Sequence, residues 1–158
     1  MNRRQILTAG FSVFGFLVSV RWAGRALAES FAITKSEAAW RAQLGAAGYE
    51  VLREHGTERA GSSPLNGEKR TGRFVCAGCD LPLFASGAKF ESGTGWPSFT
   101  APLAEAVGTT TDRSLGMSRT EVHCRRCGGH LGHVFTDGPA PTGLRYCMNG
   151  VALRFEAA

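Results

Sequence analysis

Two C-x-x-C pairs constrain the fold of this chain more than any other feature of its sequence. Cys76 and Cys79 form the first pair, and Cys124 and Cys127 form the second, far along the chain. Each pair can make a tight turn that presents two thiolates, and two such turns complete a tetrahedral site. The sequence therefore predicts that two distant turns meet around one structural zinc ion.

The spacing of these cysteines leaves other uses open. Two disulfides are an alternative in an oxidising compartment, a redox C-x-x-C is another, and iron can replace zinc in a four-thiolate site. Glycines in C-A-G-C and C-R-R-C-G-G suit turns that need a positive φ. His123 is expected beside the site or at the surface, because four thiolates already fill a tetrahedron.

Cys147 is the remaining cysteine and stands apart from both pairs. It precedes an alternating apolar run, which is typical of one face of a strand: Val151, Leu153, Phe155. A lone cysteine on a strand is commonly a small buried hydrophobic residue. Here Arg145 favours the thiolate form, and His130 and His133 can exchange protons near neutral pH. From the residues alone, a packing role and a catalytic role both remain open.

Four segments carry a family resemblance. In chain order they read C-A-G-C-D, S-G-T-G-W-P-S-F, H-C-R-R-C-G-G-H-L-G-H-V-F and R-Y-C-M-N-G-V-A-L-R-F. Together they closely resemble the B-type peptide methionine sulfoxide reductases over roughly residues 35 to 156. The resemblance implies a mainly β fold of two antiparallel sheets with short N-terminal helices, and zinc at the end away from the active site. It also implies thiol-dependent reduction of methionine R-sulfoxide in peptides and proteins, which repairs oxidative damage.

The same resemblance implies a set of site residues. The catalytic residues would be Cys147, His133, His130, Asn149 and Arg145; the substrate-binding residues Trp96 and Phe135; the zinc ligands Cys76, Cys79, Cys124 and Cys127. Cys147 would attack the sulfoxide sulfur and become a sulfenic acid, and His133 would protonate the oxygen that His130 fixes. Asn149 would orient the site, Arg145 would stabilise the thiolate, and Trp96 would receive the S-methyl group.

Two features of these motifs qualify the resemblance. His130 and His133 are three positions apart, so on a regular strand they would point to opposite faces unless Leu131 and Gly132 bend the chain. Many family members carry a resolving cysteine where this chain has Thr94. The sulfenic acid is therefore expected to be reduced by an external thiol, either a thioredoxin-like protein or a small thiol.

The first 28 residues differ from the rest and resemble a twin-arginine export signal. Arg3 and Arg4 precede an uncharged run from Ile6 to Val20, and Ala26-Leu27-Ala28 has the form of a cleavage site. We expect export to the periplasm. The alternative is that the segment stays uncleaved and anchors the protein in the inner membrane, which would be its only membrane contact. Residues 29–158 would then form a single domain.

The charge of the chain belongs largely to that signal. Residues 1–28 hold four arginines and no acidic residue, so the formal charge without them falls from +5 to +1. A nearly neutral domain gives no reason to expect a nucleic-acid partner. We expect a monomer that acts on oxidised proteins or peptides.

Local patterns predict where the secondary structure lies. The T-x-x-E sequence from Thr34 to Glu37 resembles a capping box, followed by a helix over Lys35 to Leu44 and a short helical turn over Tyr49 to Glu54. Residues 61–70 read as a loop. Short strands are predicted at 73–75, 83–85, 109–111, 117–123, 131–135 and 151–155. His55 lies at a helix end and is assigned no chemistry.

Two other classes of function use part of this pattern. A zinc-ribbon binding module would account for the paired cysteines but not for Trp96, His133 or Cys147. A thiol peroxidase or disulfide oxidoreductase would use Cys147 on hydroperoxides or disulfides instead of sulfoxides.

Overall fold

The computed structural model describes residues 30–158, so the expected export signal lies outside the described residues. The helix is α1 (Glu37–Glu54), and the strands are β1 (Gly72–Cys76), β2 (Pro82–Ala85), β3 (Lys89–Phe90), β4 (Ser98–Phe99), β5 (Val107–Asp112), β6 (Arg119–Cys124), β7 (His130–Phe135), β8 (Arg145–Met148) and β9 (Leu153–Ala157). Within residues 30–158, no helix has both the length and the apolar character needed to cross a membrane.

Helix α1 joins the two predicted helical pieces into one element with a break. Gly45 has φ 68° and ψ −178° inside the helix, so the predicted weakness at this glycine is confirmed. The predicted capping box is wrong by two residues: Ser36, not Thr34, is the N-cap, and its hydroxyl accepts a hydrogen bond from the Ala39 N–H at 3.3 Å. The helix buries one face against the sheets through Trp40, Tyr49, Val51 and Leu52.

The strands form two antiparallel sheets, which confirms the predicted fold class. One sheet has the order β2-β1-β9, and the other has the order β3-β4-β8-β7-β6-β5. Aromatic rings join them: Phe99 of β4 stacks on Phe84 of β2 with ring centroids 4.3 Å apart and meets Phe74 of β1 at 4.9 Å. These three rings are fully buried, so the two sheets share one core.

The predicted strands at 73–75, 83–85, 109–111 and 131–135 lie within β1, β2, β5 and β7, and that at 117–123 overlaps β6. The prediction for 151–155 starts too early, because Gly150–Ala152 forms a 3-10 turn and β9 begins at Leu153. Cys147 and the apolar run after it therefore lie on different strands. Another 3-10 turn, Pro64–Gly67, interrupts the predicted loop at 61–70.

A bulge on β7 brings the two neighbouring histidines together. Val122 of β6 pairs with Gly132, whereas His123 pairs with His130, so Leu131 is an extra residue on β7. Gly132 has φ 155°, and a Cβ there would lie 2.1 Å from the carbonyl oxygen of Cys147. The predicted bend is confirmed, and the rings of His130 and His133 lie 5.3 Å apart.

Candidate active site and metal centre

The paired cysteines converge as the sequence predicts, and we call them the cysteine quartet. The Sγ atoms of Cys76 and Cys127 are 3.7 Å apart, those of Cys79 and Cys124 are 3.5 Å apart, and all four lie within 4.8 Å of one another. A tetrahedral ion with metal–sulfur bonds of about 2.3 Å requires sulfurs about 3.8 Å apart. A disulfide requires about 2.05 Å. The quartet therefore fits a metal ion and not two disulfides.

Each half of the quartet is a tight turn with the same backbone hydrogen bond. The N–H of Asp80 donates to the carbonyl of Cys76 at 2.9 Å, and the N–H of Gly128 donates to the carbonyl of Cys124 at 2.8 Å. Both residues have positive φ, 60° and 67°. The expected positive φ therefore falls on Gly128 in the second turn but on Asp80, not on a glycine, in the first.

Helix α1 holds both turns from outside. Gln43 donates its amide to the carbonyl of Gly78 at 3.0 Å, and the guanidinium of Arg53 donates to the carbonyl of Cys127 at 3.0 Å. His123 is 5% exposed and packs edge-on against Phe31, so of its two expected positions, beside the site or at the surface, the surface is excluded. The quartet is thus a rigid, mostly buried donor set made only of sulfur.

Cys147 lies in the middle of the larger sheet. It pairs with His133 of β7 on one side and with Ser98 of β4 on the other. Its side chain lines a cavity of about 140 Å³, which we call the Cys147 cavity; the other lining residues are Thr57, Trp96, Arg119, Gly132, His133, Phe135 and Asn149. The structure therefore gathers four more of the predicted site residues around one partly exposed sulfur.

A chain of hydroxyl groups reaches Cys147 from the loop before Trp96. Thr94 Oγ1 lies 3.8 Å from Cys147 Sγ, Ser92 Oγ lies 2.9 Å from Thr94 Oγ1, and the buried Ser98 Oγ lies 2.7 Å from Ser92 Oγ. Position 94 is thus in direct contact with the sulfur. At this position the chain offers a hydroxyl and not a second thiol.

His133 of β7 is held by a carboxylate from the edge strand β5, on the far side of β6. Its Nε2 lies 2.8 Å from Asp112 Oδ2, and Arg119 donates to the same oxygen at 2.6 Å. Burial lowers the pKa of His133 below its usual value, and the hydrogen bond with Asp112 opposes that shift. The pKa of Asp112 is itself lowered, first by hydrogen bonds from Ser114 and then by His133.

His130 occupies a second, adjoining environment. It is 2% exposed, its Nδ1 lies 2.7 Å from Glu121 Oε1, and its Nε2 is buried with no hydrogen-bond partner among the described residues. His130 and His133 both line a larger cavity of about 460 Å³, but His130 is not among the residues that line the Cys147 cavity. Hydrogen bonding to His130 lowers the pKa of Glu121.

Arg145 is engaged mainly by an acidic partner. Its guanidinium makes two hydrogen bonds of 2.9 Å to Asp137 and lies 4.5 Å from the centre of the Phe135 ring. Its pKa is raised, first by the hydrogen bond to Asp137 and also by Cys147. Arg145 is thus fixed beside Phe135 and close enough to interact with Cys147.

Glu58 ties together the parts that surround Cys147. Its carbonyl accepts the indole N–H of Trp96 at 3.1 Å, and its N–H donates to Asn149 Oδ1 at 3.0 Å. Its carboxylate accepts from the N–H groups of Gly150 and Val151, which begin the turn after Cys147. Asn149 is 3% exposed and also donates to the carbonyl of Leu131 at 3.1 Å.

Comparison with known proteins matches the sequence of this chain to one family. A family model described as the SelR domain matches residues 44–157. Relatives named peptide methionine sulfoxide reductase MsrB are 56% identical over 125 residues in Bradyrhizobium diazoefficiens, 53% identical over 125 in Agrobacterium fabrum and 48% identical over 128 in Leptospira interrogans. The matches cover 78–80% of this chain and 90–98% of the relatives. The chain belongs to the MsrB family.

Several residues of this MsrB-family site escaped the sequence analysis. No motif indicated a role for Asp112 or Glu121, whose carboxylates contact His133 and His130. The same holds for Arg119, which donates to Asp112, and for Glu58, whose backbone contacts Trp96 and Asn149. His55 was assigned no chemistry, yet its Nδ1 lies 3.1 Å from Glu121 Oε1. The only available signal was that Asp112 and Glu121 lie in β5 and β6, the two strands that precede the H-L-G-H segment in the chain.

Proposed function

We propose that this chain reduces methionine R-sulfoxide in oxidised peptides and proteins, and so repairs oxidative damage. The observation that carries the proposal is the Cys147 cavity, in which one partly exposed sulfur faces Trp96, Phe135 and His133. Relatives in several bacteria at 48–56% identity, each named peptide methionine sulfoxide reductase MsrB, support the same reaction. Because each reductase type handles one sulfoxide epimer, membership of this family assigns the R form.

The first chemical step transfers oxygen from substrate to enzyme. The thiolate of Cys147 attacks the sulfoxide sulfur, the oxygen takes a proton, and methionine leaves as Cys147 becomes a sulfenic acid. The substrate sulfur is reduced by two electrons and the cysteine sulfur is oxidised by two. Arg145 stabilises the starting thiolate through its charge.

We assign delivery of the proton to the sulfoxide oxygen to His133, which pairs with Cys147 on the adjacent strand. Asp112 holds Nε2 of this ring, so Nδ1 is the nitrogen that we assign to delivery. His130 packs against His133 from the adjoining cavity, and its burial favours a positioning role over direct contact with the oxygen. Asn149 fixes the turn that follows Cys147.

The substrate side chain needs an apolar wall and one polar contact. The face of Trp96 suits the S-methyl group, and its indole N–H is already held by the carbonyl of Glu58. Phe135, fixed under Arg145, supplies a second apolar surface. A cavity of about 140 Å³ admits a methionine side chain and little more, which suits residues presented on a peptide or unfolded segment.

The enzyme is then regenerated by an external thiol. With the cysteine quartet committed to metal, no other thiol remains in the chain, and Thr94 contacts the sulfur instead. One thiol condenses with the sulfenic acid to give a mixed disulfide and water, and a second thiol releases Cys147 as an external disulfide forms. A thioredoxin-like protein or a small thiol would serve.

The cysteine quartet would hold one structural zinc ion. Four thiolates at tetrahedral separations leave no open coordination position, which is the pattern of structural zinc sites. When bound, the ion supplies folding energy and ties the β1–β2 and β6–β7 turns together. It takes no part in the reaction at Cys147.

We propose that residues 1–28 direct the enzyme to the periplasm by a twin-arginine route, with inner-membrane anchoring as the alternative. We also propose that the enzyme acts as a monomer. The paired arginines and the short uncharged run support this placement. Such a route carries folded proteins, so the quartet could be loaded with zinc before it meets an oxidising compartment. Cell fractionation with mass measurement of the mature N-terminus tests this; a cytoplasmic enzyme that begins at Met1 would reject it.

The central test is turnover of the two separated methionine sulfoxide epimers by wild type and by Cys147→Ser. We expect the wild type to reduce the R epimer only, and the variant to lose that activity while it keeps its fold and metal. Reduction of the S epimer, preference for hydroperoxides, or full activity in the variant would each reject the proposal. Mass analysis after one turnover without reductant should find a sulfenic acid on Cys147 and no intramolecular disulfide.

A further inference from the structure

Three side chains outside the cysteine quartet meet at the larger cavity, and we call them the His-Glu-His cluster. Glu121 Oε1 lies 2.7 Å from His130 Nδ1 and 3.1 Å from His55 Nδ1, and the potential ligand atoms of all three lie within 4.8 Å of one another. The cluster borders the cavity of about 460 Å³ that His133 and Asp112 also line. Neither the family match nor the reaction at Cys147 gives these three groups a joint role.

The backbone places each member of the cluster firmly. His55 is the C-cap of α1 in a left-handed conformation, and its N–H donates to the carbonyl of Glu50. Glu121 lies inside β6, and His130 begins β7 beside the bulge. His130 is 2% exposed and Glu121 is 8% exposed, so two of the three groups are already desolvated and ordered before any ligand arrives.

The donor chemistry suits a divalent transition-metal ion. Two imidazole nitrogens and one carboxylate oxygen form a common three-ligand zinc set, which leaves one position open. Bonds of about 2.0 Å place ligand atoms about 3.3 Å apart, so the two contacts of Glu121 need to open by about 0.2–0.6 Å. The cavity in front provides room for water as the fourth ligand.

We propose that the His-Glu-His cluster binds a second zinc ion, separate from the quartet, and that this ion slows the reductase. The ion would replace the protons that now link Glu121 to both imidazoles. It would fix His130, whose ring centre lies 5.3 Å from that of His133, and would so restrict the ring of the proton donor. The binding stands independently of the proposed function, whereas the inhibition rests on it.

Calorimetric titration of zinc into the full chain, already loaded with one equivalent at the quartet, tests the binding. We expect the wild type to bind a second zinc ion more weakly than the quartet does, and His55→Asn to bind that second ion at least tenfold more weakly than the wild type. Asparagine tolerates the left-handed conformation but removes an imidazole ligand. Glu54→Gln, which changes a carboxylate one residue away on the same helix, is the matched control and should bind as the wild type does.

Cys147→Ser separates this site from the reactive sulfur, since zinc also binds thiolates. The second ion should bind this variant with unchanged affinity, whereas its loss there would place the ion on Cys147 and overturn the proposal. Turnover should fall in a saturable manner as the second site fills, and His55→Asn should keep its basal rate and require at least tenfold more zinc for the same inhibition. A wild type that binds only one ion, or equal binding in His55→Asn, also overturns the proposal. Binding without inhibition would reject the regulatory half alone.

Discussion

The cysteine quartet and the Cys147 cavity differ in what holds their sulfur atoms in place. Each half of the quartet is fixed by residues next to it in sequence, through one hydrogen bond across a five-residue turn. Cys147 is surrounded by groups from distant parts of the chain, including Thr94, His133 and Trp96. The quartet consists of two local turns that the two sheets bring together. The Cys147 cavity forms only when the strand register is correct.

This comparison predicts that changes to the quartet affect mainly stability, whereas changes around Cys147 affect mainly rate. The two sites should therefore separate in a pair of variants. Cys124→Ala should lose the metal and lower the free energy of unfolding by at least ~3 kcal/mol, which corresponds to a fall in melting temperature of roughly 6–12 °C. Metal analysis and thermal unfolding measure this effect.

Cys147→Ser is the matched control, because it also removes one thiol from the larger sheet. It should keep its metal and its melting temperature within a few degrees while R-sulfoxide turnover falls at least ~10³-fold. A Cys124→Ala protein that unfolds at the wild-type temperature would break the comparison, since the quartet would then contribute nothing to folding.

The pH dependence of turnover sharpens the role of the second site. A proton donor works only when protonated, so the rate should fall as pH rises through the pKa of His133, and burial places this fall below the usual histidine value of 6.5. Asp112→Asn removes an interaction that raises this pKa, so the fall should move to lower pH. His133→Asn should abolish it and slow turnover about 10²–10⁴-fold.

Profiles of kcat/KM against pH for these variants provide the measurement. Glu156→Gln is the matched control, because its carboxylate is paired with Arg73 on the outside of the smaller sheet and should leave the profile unchanged. A shift of the fall to higher pH in Asp112→Asn would show that Asp112 does not support the protonated ring.

Glu58 should show a smaller effect that divides between rate and stability. Loss of its carboxylate in Glu58→Ala removes hydrogen bonds to two backbone N–H groups and should cost about 2 kcal/mol of unfolding free energy. Because the turn after Cys147 also loosens, kcat should fall about tenfold. Glu58→Gln keeps one acceptor oxygen and should recover part of both losses; a Glu58→Ala enzyme with wild-type kcat would confine Glu58 to folding.

The smallest expected change in rate comes from Thr94→Cys. Thr94 Oγ1 lies 3.8 Å from Cys147 Sγ, so a thiol at this position should attack the sulfenic acid and form an intramolecular disulfide after one turnover. Steady-state turnover should change less than about fivefold, because the first step is untouched. Mass analysis without reductant detects the disulfide, and Thr94→Ser is the control that should not form one.

The sequence predicted the quartet because its ligand spacing is local and depends little on the rest of the fold. It also predicted the bend between His130 and His133, since the glycine that permits it stands within the motif. It missed Asp112 and Glu58 for a physical reason: their contacts depend on strand register and on a loop that returns after 91 residues to meet Asn149. The boundary of β9 was missed because the alternating apolar pattern continues through the turn at Gly150–Ala152.

The end of α1 contacts both the cysteine quartet and the larger cavity within three residues. Arg53 donates a hydrogen bond to the carbonyl of Cys127, and His55 contacts Glu121 at the larger cavity. Removal of an ion bound at the quartet would weaken one of the two contacts that hold this helix end. The packing beneath the histidines of the larger cavity would then loosen as well. A chelator should then lower the temperature at which this helix end detaches, so that on heating the activity is lost before the sheets unfold and before the circular dichroism spectrum changes.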